Sequence, residues 1–96
     1  MISDETLMSR VAQRDVTAVE MLYDRHAALV LGVLMHIVDD RATAERLLEE
    51  TFWQVWQRAA AYSAGQGRFT SWLFRLARRI ADESLDRNRT PVQDDL

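Results

Sequence analysis

Five arginines, Arg68, Arg75, Arg78, Arg79 and Arg87, follow the stretch Ser63-Ala64-Gly65-Gln66-Gly67 at intervals that bring several of them to one side of a helix. Guanidinium groups at such spacing suit phosphate oxygens, and each contact with a nucleic-acid strand releases condensed counterions. Glycines in the preceding stretch let backbone approach a base closely, while polar side chains beside them can read its edge. Upstream, the run Ala44 to Trp56 carries Arg46, Glu49, Glu50, Trp53 and Gln54 on or near its outer side. Trp53 follows the core candidate Phe52 and is expected to face outward, where an isolated bundle has no use for it; it is the best candidate for an interface anchor. Each reading has a plainer alternative. The arginines could form a solvated face paired with Asp82, Glu83 and Asp86 three or four residues away, and the glycine stretch could be an ordinary connection between helices. Trp72 could stack on a base, but its alignment with Leu76 and Ile80 favours the core. His26 and His36 read as surface or core-edge residues without a role.

Charge is divided along the chain. The net charge of −3 arises from five arginines against ten acids in residues 1–57 and seven arginines against three acids in residues 58–89, with two more acids beyond. A basic segment on an otherwise acidic domain can hold phosphates locally while the remainder meets a protein surface. Every basic residue is arginine.

At 96 residues, with 48% hydrophobic and 28% charged residues, the sequence has room for one domain with a modest core. It contains no cysteine, which excludes disulfides and thiolate metal sites. The two histidines stand apart from any cluster that would complete a metal shell. No Ser-His-Asp set, paired-carboxylate pocket or phosphate loop is present, so neither an enzyme nor a cofactor is expected. The most apolar run, Ala27 to Val38, is shorter than the roughly 20 residues of a membrane span and reads as a buried helix. The N-terminus lacks the basic segment and apolar core of a secretory signal, which points to a cytoplasmic protein without membrane insertion.

Four helices must carry these residues. Ser3 caps a first helix over about Asp4 to Arg14, with Leu7, Met8 and Val11 at helical spacing. Thr17 and Glu20 have the spacing of a capping box, and Val16 and Met21 that of a hydrophobic staple, so a second helix starts at Ala18 and runs to about Val38. Asp39-Asp40 stops it and caps a third. This third helix runs to about Tyr62 and buries Leu47, Leu48, Phe52, Val55, Trp56 and Ala59. Thr70 or Ser71 caps a fourth, whose stripe is Trp72, Leu73, Leu76, Ala77 and Ile80. The helical pattern ends at Asn88. The expected architecture is a compact all-α bundle of about four helices over residues 1–87, with residues 88–96 as a tail or the start of an interdomain linker.

From about Asp15 to Arg89 the chain resembles domain 2 of the extracytoplasmic-function sigma factors, the alternative initiation subunits of bacterial RNA polymerase. Ala44 to Trp56 fits the frame of the family's Ala-Glu-Asp-Leu-x-Gln-Glu-x-Phe-x-x-x-Trp-like run. Ser63 to Gly67 and Trp72 to Arg79 fit its loop and Trp-Leu-x-x-Ile-Ala-x-Asn-like helix. The resemblance implies that Arg46, Glu49, Glu50, Trp53 and Gln54 dock on the clamp coiled coil of the polymerase's largest subunit. It further implies that Ser63 to Gly67 and the helix Trp72 to Arg79 read the promoter −10 element on the non-template strand, and within that frame Arg68, Arg75, Arg78, Arg79 and Arg87 are candidates to neutralise phosphates of the opened strand. An anti-sigma factor or other regulatory protein is an implied partner. Arg46 and Glu49 stand where the family usually has Asp and Gln, Arg79 where it has Asn, and Glu83 and Asp86 where an Asp and a basic residue follow. These departures bear on polymerase affinity and promoter choice rather than on fold. The competing class is a helical interaction or regulatory module without promoter binding.

Overall fold

Short breaks at residues 13–15 and 39–40, each ending in an aspartate cap, separate the first three helices. The computed structural model describes residues 1–62 and 67–93, with side chains as far as Arg87 in the last helix. The elements are α1 (Asp4–Ala12), α2 (Val16–Val38), α3 (Arg41–Arg58) and α4 (Phe69–Gln93), with no strand among the described residues. The fold is the expected all-α bundle.

Ser3 caps α1 as its spacing predicts: its hydroxyl accepts from the Thr6 backbone N–H at 3.0 Å. The helix ends two residues earlier than expected, because Arg14 adopts the left-handed conformation at φ 67°. That conformation is unfavourable for a residue with a Cβ. Here it is offset by a 2.6 Å bond from Arg14 Nη1 to the Trp56 carbonyl and by the guanidinium lying 4.9 Å from the Trp56 ring centroid. The second cap differs from expectation. Asp15, not Thr17, caps α2, accepting from Ala18 N–H at 3.3 Å while Arg10 Nε holds its other oxygen at 3.1 Å. Val16 therefore lies inside the helix and more than half exposed instead of forming a staple. Asp39 ends α2 with φ 56°, and Asp40 starts α3 by accepting from the backbone N–H and hydroxyl of Thr43. These bonds, the hydroxyl's first and the backbone's second, hold the Asp40 carboxyl below the ordinary aspartate value.

α2 is the central element and packs against all three other helices. Its 23 residues are long and apolar enough to cross a membrane by length and composition alone. In the bundle, Ala18, Leu22, Val30 and Leu34 close the core against Leu7, Met8 and Val11 of α1 and against the inner faces of α3 and α4. α3 buries Leu47, Leu48, Phe52 and Val55 as its period requires, and Ala59 is buried just beyond its end, whereas Trp56 is only half-buried. The core also takes in Thr51, whose hydroxyl donates back to the Leu47 carbonyl at 2.8 Å and so enters without an unsatisfied polar atom. α3 stops at Arg58, four residues short of expectation, as Ala59 to Tyr62 tighten into turns. α4 starts at the fully buried Phe69, before Thr70 and Ser71, so neither of these caps it. Its backbone stays helical past Asn88 to Gln93, since extending a formed helix costs far less than starting one.

Candidate protein-docking and nucleic-acid surfaces

The five residues expected on one docking surface lie on α3, where Arg46, Glu49, Glu50 and Trp53 are exposed and Gln54 is half-buried. Trp53 is 56% exposed, as expected from its place beside buried Phe52. The fold, however, distributes the five between two grooves. Glu49 and Trp53 border a cavity of about 390 Å³ between α2 and α3, whose walls are Val16, Val19, Tyr23, Phe52 and Trp56, with Glu20 at the rim. Tyr23 packs edge-on against Phe52, centroids 5.0 Å apart, and remains 39% exposed. Arg46, Glu50 and Gln54 instead face a smaller cavity of about 210 Å³ toward α4, together with Leu47, Ile80, Glu83 and Arg87. Gln54 donates to Glu50 at 3.0 Å, while its own amide oxygen is buried without a partner among the described residues.

The arginines also divide. Arg75, Arg78 and Arg79 are exposed along α4, and among the described residues they form no ion pair, although Asp82, Glu83 and Asp86 are exposed on the same helix. Arg68 is exposed at the approach to α4. Arg87 sits apart from these, in the groove with Arg46 and Glu50. Ser63, Ala64, Gly65 and Gln66 lie outside the described residues.

Both ends of that loop are described. Tyr62 Oη donates to the Gly67 carbonyl at 3.1 Å, joining the residue before the loop to its last glycine, which has φ 101°. The Tyr62 ring packs edge-on against Phe69 and Trp72, with centroids 6.1 and 5.3 Å away. Trp72 is thus half-buried in an aromatic cluster, nearer to the packing alternative than to a free stacking platform. Burial, and then the charges of Glu5 and Asp4, push the Tyr62 phenol above its ordinary pKa.

Residues near the N-terminus complete this corner, and sequence reading missed them. Asp4 pairs with Arg25 at 3.1 Å and with His26 at 3.0 Å, and the His26 ring leans on Phe69 with centroids 5.7 Å apart. His26 therefore has a structural place that its isolation in the sequence conceals. Glu5 accepts from the Phe69 backbone N–H at 2.9 Å across 64 residues. No local pattern joins residues that far apart; the only signal was a pair of acids opening α1.

This arrangement has counterparts. The sigma-70 region 2 family model matches residues 22–90. The extracytoplasmic-function RNA polymerase sigma factor SigK of Mycolicibacterium vanbaalenii is 36% identical over 77 residues, covering 80% of this chain and 39% of that protein. The RNA polymerase sigma-H factor of Pseudomonas aeruginosa is 30% identical over 94 residues, covering 97% of this chain and 48% of that protein. SigL of Mycobacterium tuberculosis is 30% identical, with coverages of 90% and 55%. The chain thus spans about half the length, or less, of curated relatives it matches. With the match extending from within α2 through α3 and most of α4, the chain belongs to the sigma-70 region 2 family, as a domain of the extracytoplasmic-function type.

Proposed function

We propose that this domain joins core RNA polymerase through the outer side of α3 and recognises and helps open the promoter −10 element with the loop and α4. The observation that supports docking most strongly is Trp53, a large aromatic left 56% exposed beside an apolar groove. Such a residue gains from burial against a partner what the isolated bundle leaves unused. The arginine side of α4 supports contact with phosphates, because Arg75, Arg78 and Arg79 carry no ion pair among the described residues that a strand would have to displace.

The mechanism needs no bond chemistry. A protein that holds an unstacked single strand better than the duplex shifts the equilibrium toward the open form by the difference in binding free energy. That difference has to offset a few kcal/mol of unstacking. The interspersed acids of α4 keep isolated binding weak, so recognition depends on polymerase supplying further contacts. The domain works in the cytoplasm with an anti-sigma factor or other regulatory protein as a further partner, and residues 88–96 serve as a tail or the start of an interdomain linker into which α4 extends as far as Gln93.

Promoter-dependent transcription by core polymerase supplied with the protein tests the proposal. Core binding together with −10-dependent transcripts is the expected result. Core binding without promoter-dependent transcripts would instead identify a docking or regulatory module.

A further inference from the structure

Among the described residues, α4 begins without a cap of its own. The position before its first residue is Arg68, whose guanidinium has donors and no acceptor, so it cannot satisfy any of the free N–H groups at a helix start. The fold supplies the missing acceptor from elsewhere: Glu5 of α1 reaches the Phe69 N–H at 2.9 Å. A carboxylate suits that place both as an acceptor and as a negative charge at the positive end of a helix. The turn bearing Glu5 is itself anchored, because Asp4 binds Arg25 and His26 of α2. A cavity of about 540 Å³ adjoins this corner, bordered by Asp4, Glu5, Gly67, Arg68 and Thr70. The rest of α4 is held independently, with Leu73, Leu76, Ala77, Ile80 and Ala81 in the core. Losing the cap therefore loosens the first turn of α4 and leaves the bundle intact.

We propose that Glu5 is a positioning residue for −10 recognition, fixing the start of α4 and with it the direction in which Arg68 and the end of the loop face the strand. Glu5 lies outside the residues matched by the family model, which begins at residue 22. The inference rests on the promoter-reading function proposed above.

The test compares wild type, Glu5→Ala and Glu5→Gln, each assembled with core polymerase, for binding of a fluorescent single-stranded −10 oligonucleotide and for affinity to the core enzyme. Amide exchange is followed in the free proteins. Glu5→Ala is expected to weaken strand binding about fivefold, the effect of losing one cap, with unchanged core affinity and faster exchange confined to Phe69 through Trp72. Glu5→Gln keeps an acceptor and should recover most of the loss. Wild-type strand binding by Glu5→Ala, unaltered exchange at Phe69, or parallel losses of strand binding, core affinity and helical content would each overturn the positioning role. Failure of the wild-type assembly to bind the strand would instead overturn the promoter-reading function, while the exchange measurement still reports whether Glu5 caps α4.

Discussion

The two grooves flanking α3 draw on one helix and differ in kind. Toward α2, Trp53 stands beside Val16, Tyr23, Phe52 and Trp56, with acids only at the edge. Toward α4, Arg46, Glu50, Gln54, Glu83 and Arg87 surround a smaller polar space. Apolar surface gains free energy from any well-fitting apolar partner, in proportion to the area removed from water. Paired charges gain little net, because desolvation opposes attraction, but they penalise a mismatched partner. If α3 docks on polymerase as proposed, affinity should come from the α2 side and selectivity from the α4 side. The departures from the family frame within α3, Arg46 and Glu49, then fall on different sides: Arg46 in the polar groove and Glu49 at the edge of the apolar one.

The largest expected effect tests that division directly. Trp53→Ala should weaken binding to core polymerase by about 2 kcal/mol or more without loss of helical content, whereas Glu50→Ala should cost no more than about 1 kcal/mol. Titrations of core enzyme with each variant decide it, and equal losses would erase the distinction between the grooves.

A second expectation extends the comparison to the exposed side of α4. Replacing Arg75, Arg78 and Arg79 together by Ala should reduce the salt slope of −10 strand binding in the assembled enzyme by roughly 0.7 per lost contact, while core affinity holds. An unchanged slope would make this a solvated face and favour the interaction-module reading.

A smaller effect concerns the polar groove alone. The buried amide oxygen of Gln54, without a partner among the described residues, carries a desolvation cost that Met at the same position avoids. Gln54→Met should raise stability in urea unfolding by up to about 1 kcal/mol and lower selectivity for the partner. A clear loss of stability would mean that the Glu50 contact outweighs the orphaned oxygen.

The smallest acts on both grooves together, through the start of α3. Asp40 has its pKa lowered from 3.8 by the bonds from Thr43. Its contribution to stability is therefore complete above that value and is lost as pH falls through the lower folded-state value. Asp40→Asn keeps an acceptor for Thr43 N–H and removes the titration, so its acid unfolding profile should be flatter than the wild type's. Superimposable profiles would assign the acid response to other carboxylates.

Local chemistry was legible wherever cause and effect lie within one or two helical turns. The Ser3 cap, the Asp39-Asp40 break, the burial of Leu47, Leu48, Phe52 and Val55 on α3, and the outward Trp53 all follow from spacing and side-chain type. The second cap was misread because Thr17 and Glu20 fit a local pattern. Asp15 prevails in the fold, where Arg10 holds one of its oxygens and leaves the other for Ala18 N–H. Phe69 escaped the α4 stripe because Thr70 and Ser71 looked like the helix start, and its burial depends on His26, Tyr62 and Trp72, which come from three separate parts of the chain.

By itself the sequence determined the four amphipathic helices, the division of charge, and the family frame on α3 and α4, because periodicity, capping and composition act over a few residues. Only the tertiary structure decided that α3 faces two unlike grooves, that Arg87 stands with Arg46 and Glu50, and that Glu5 completes the start of α4. Those relations depend on how helices rotate and pack against one another, and that rotation is set by the whole core at once, with no short segment encoding it.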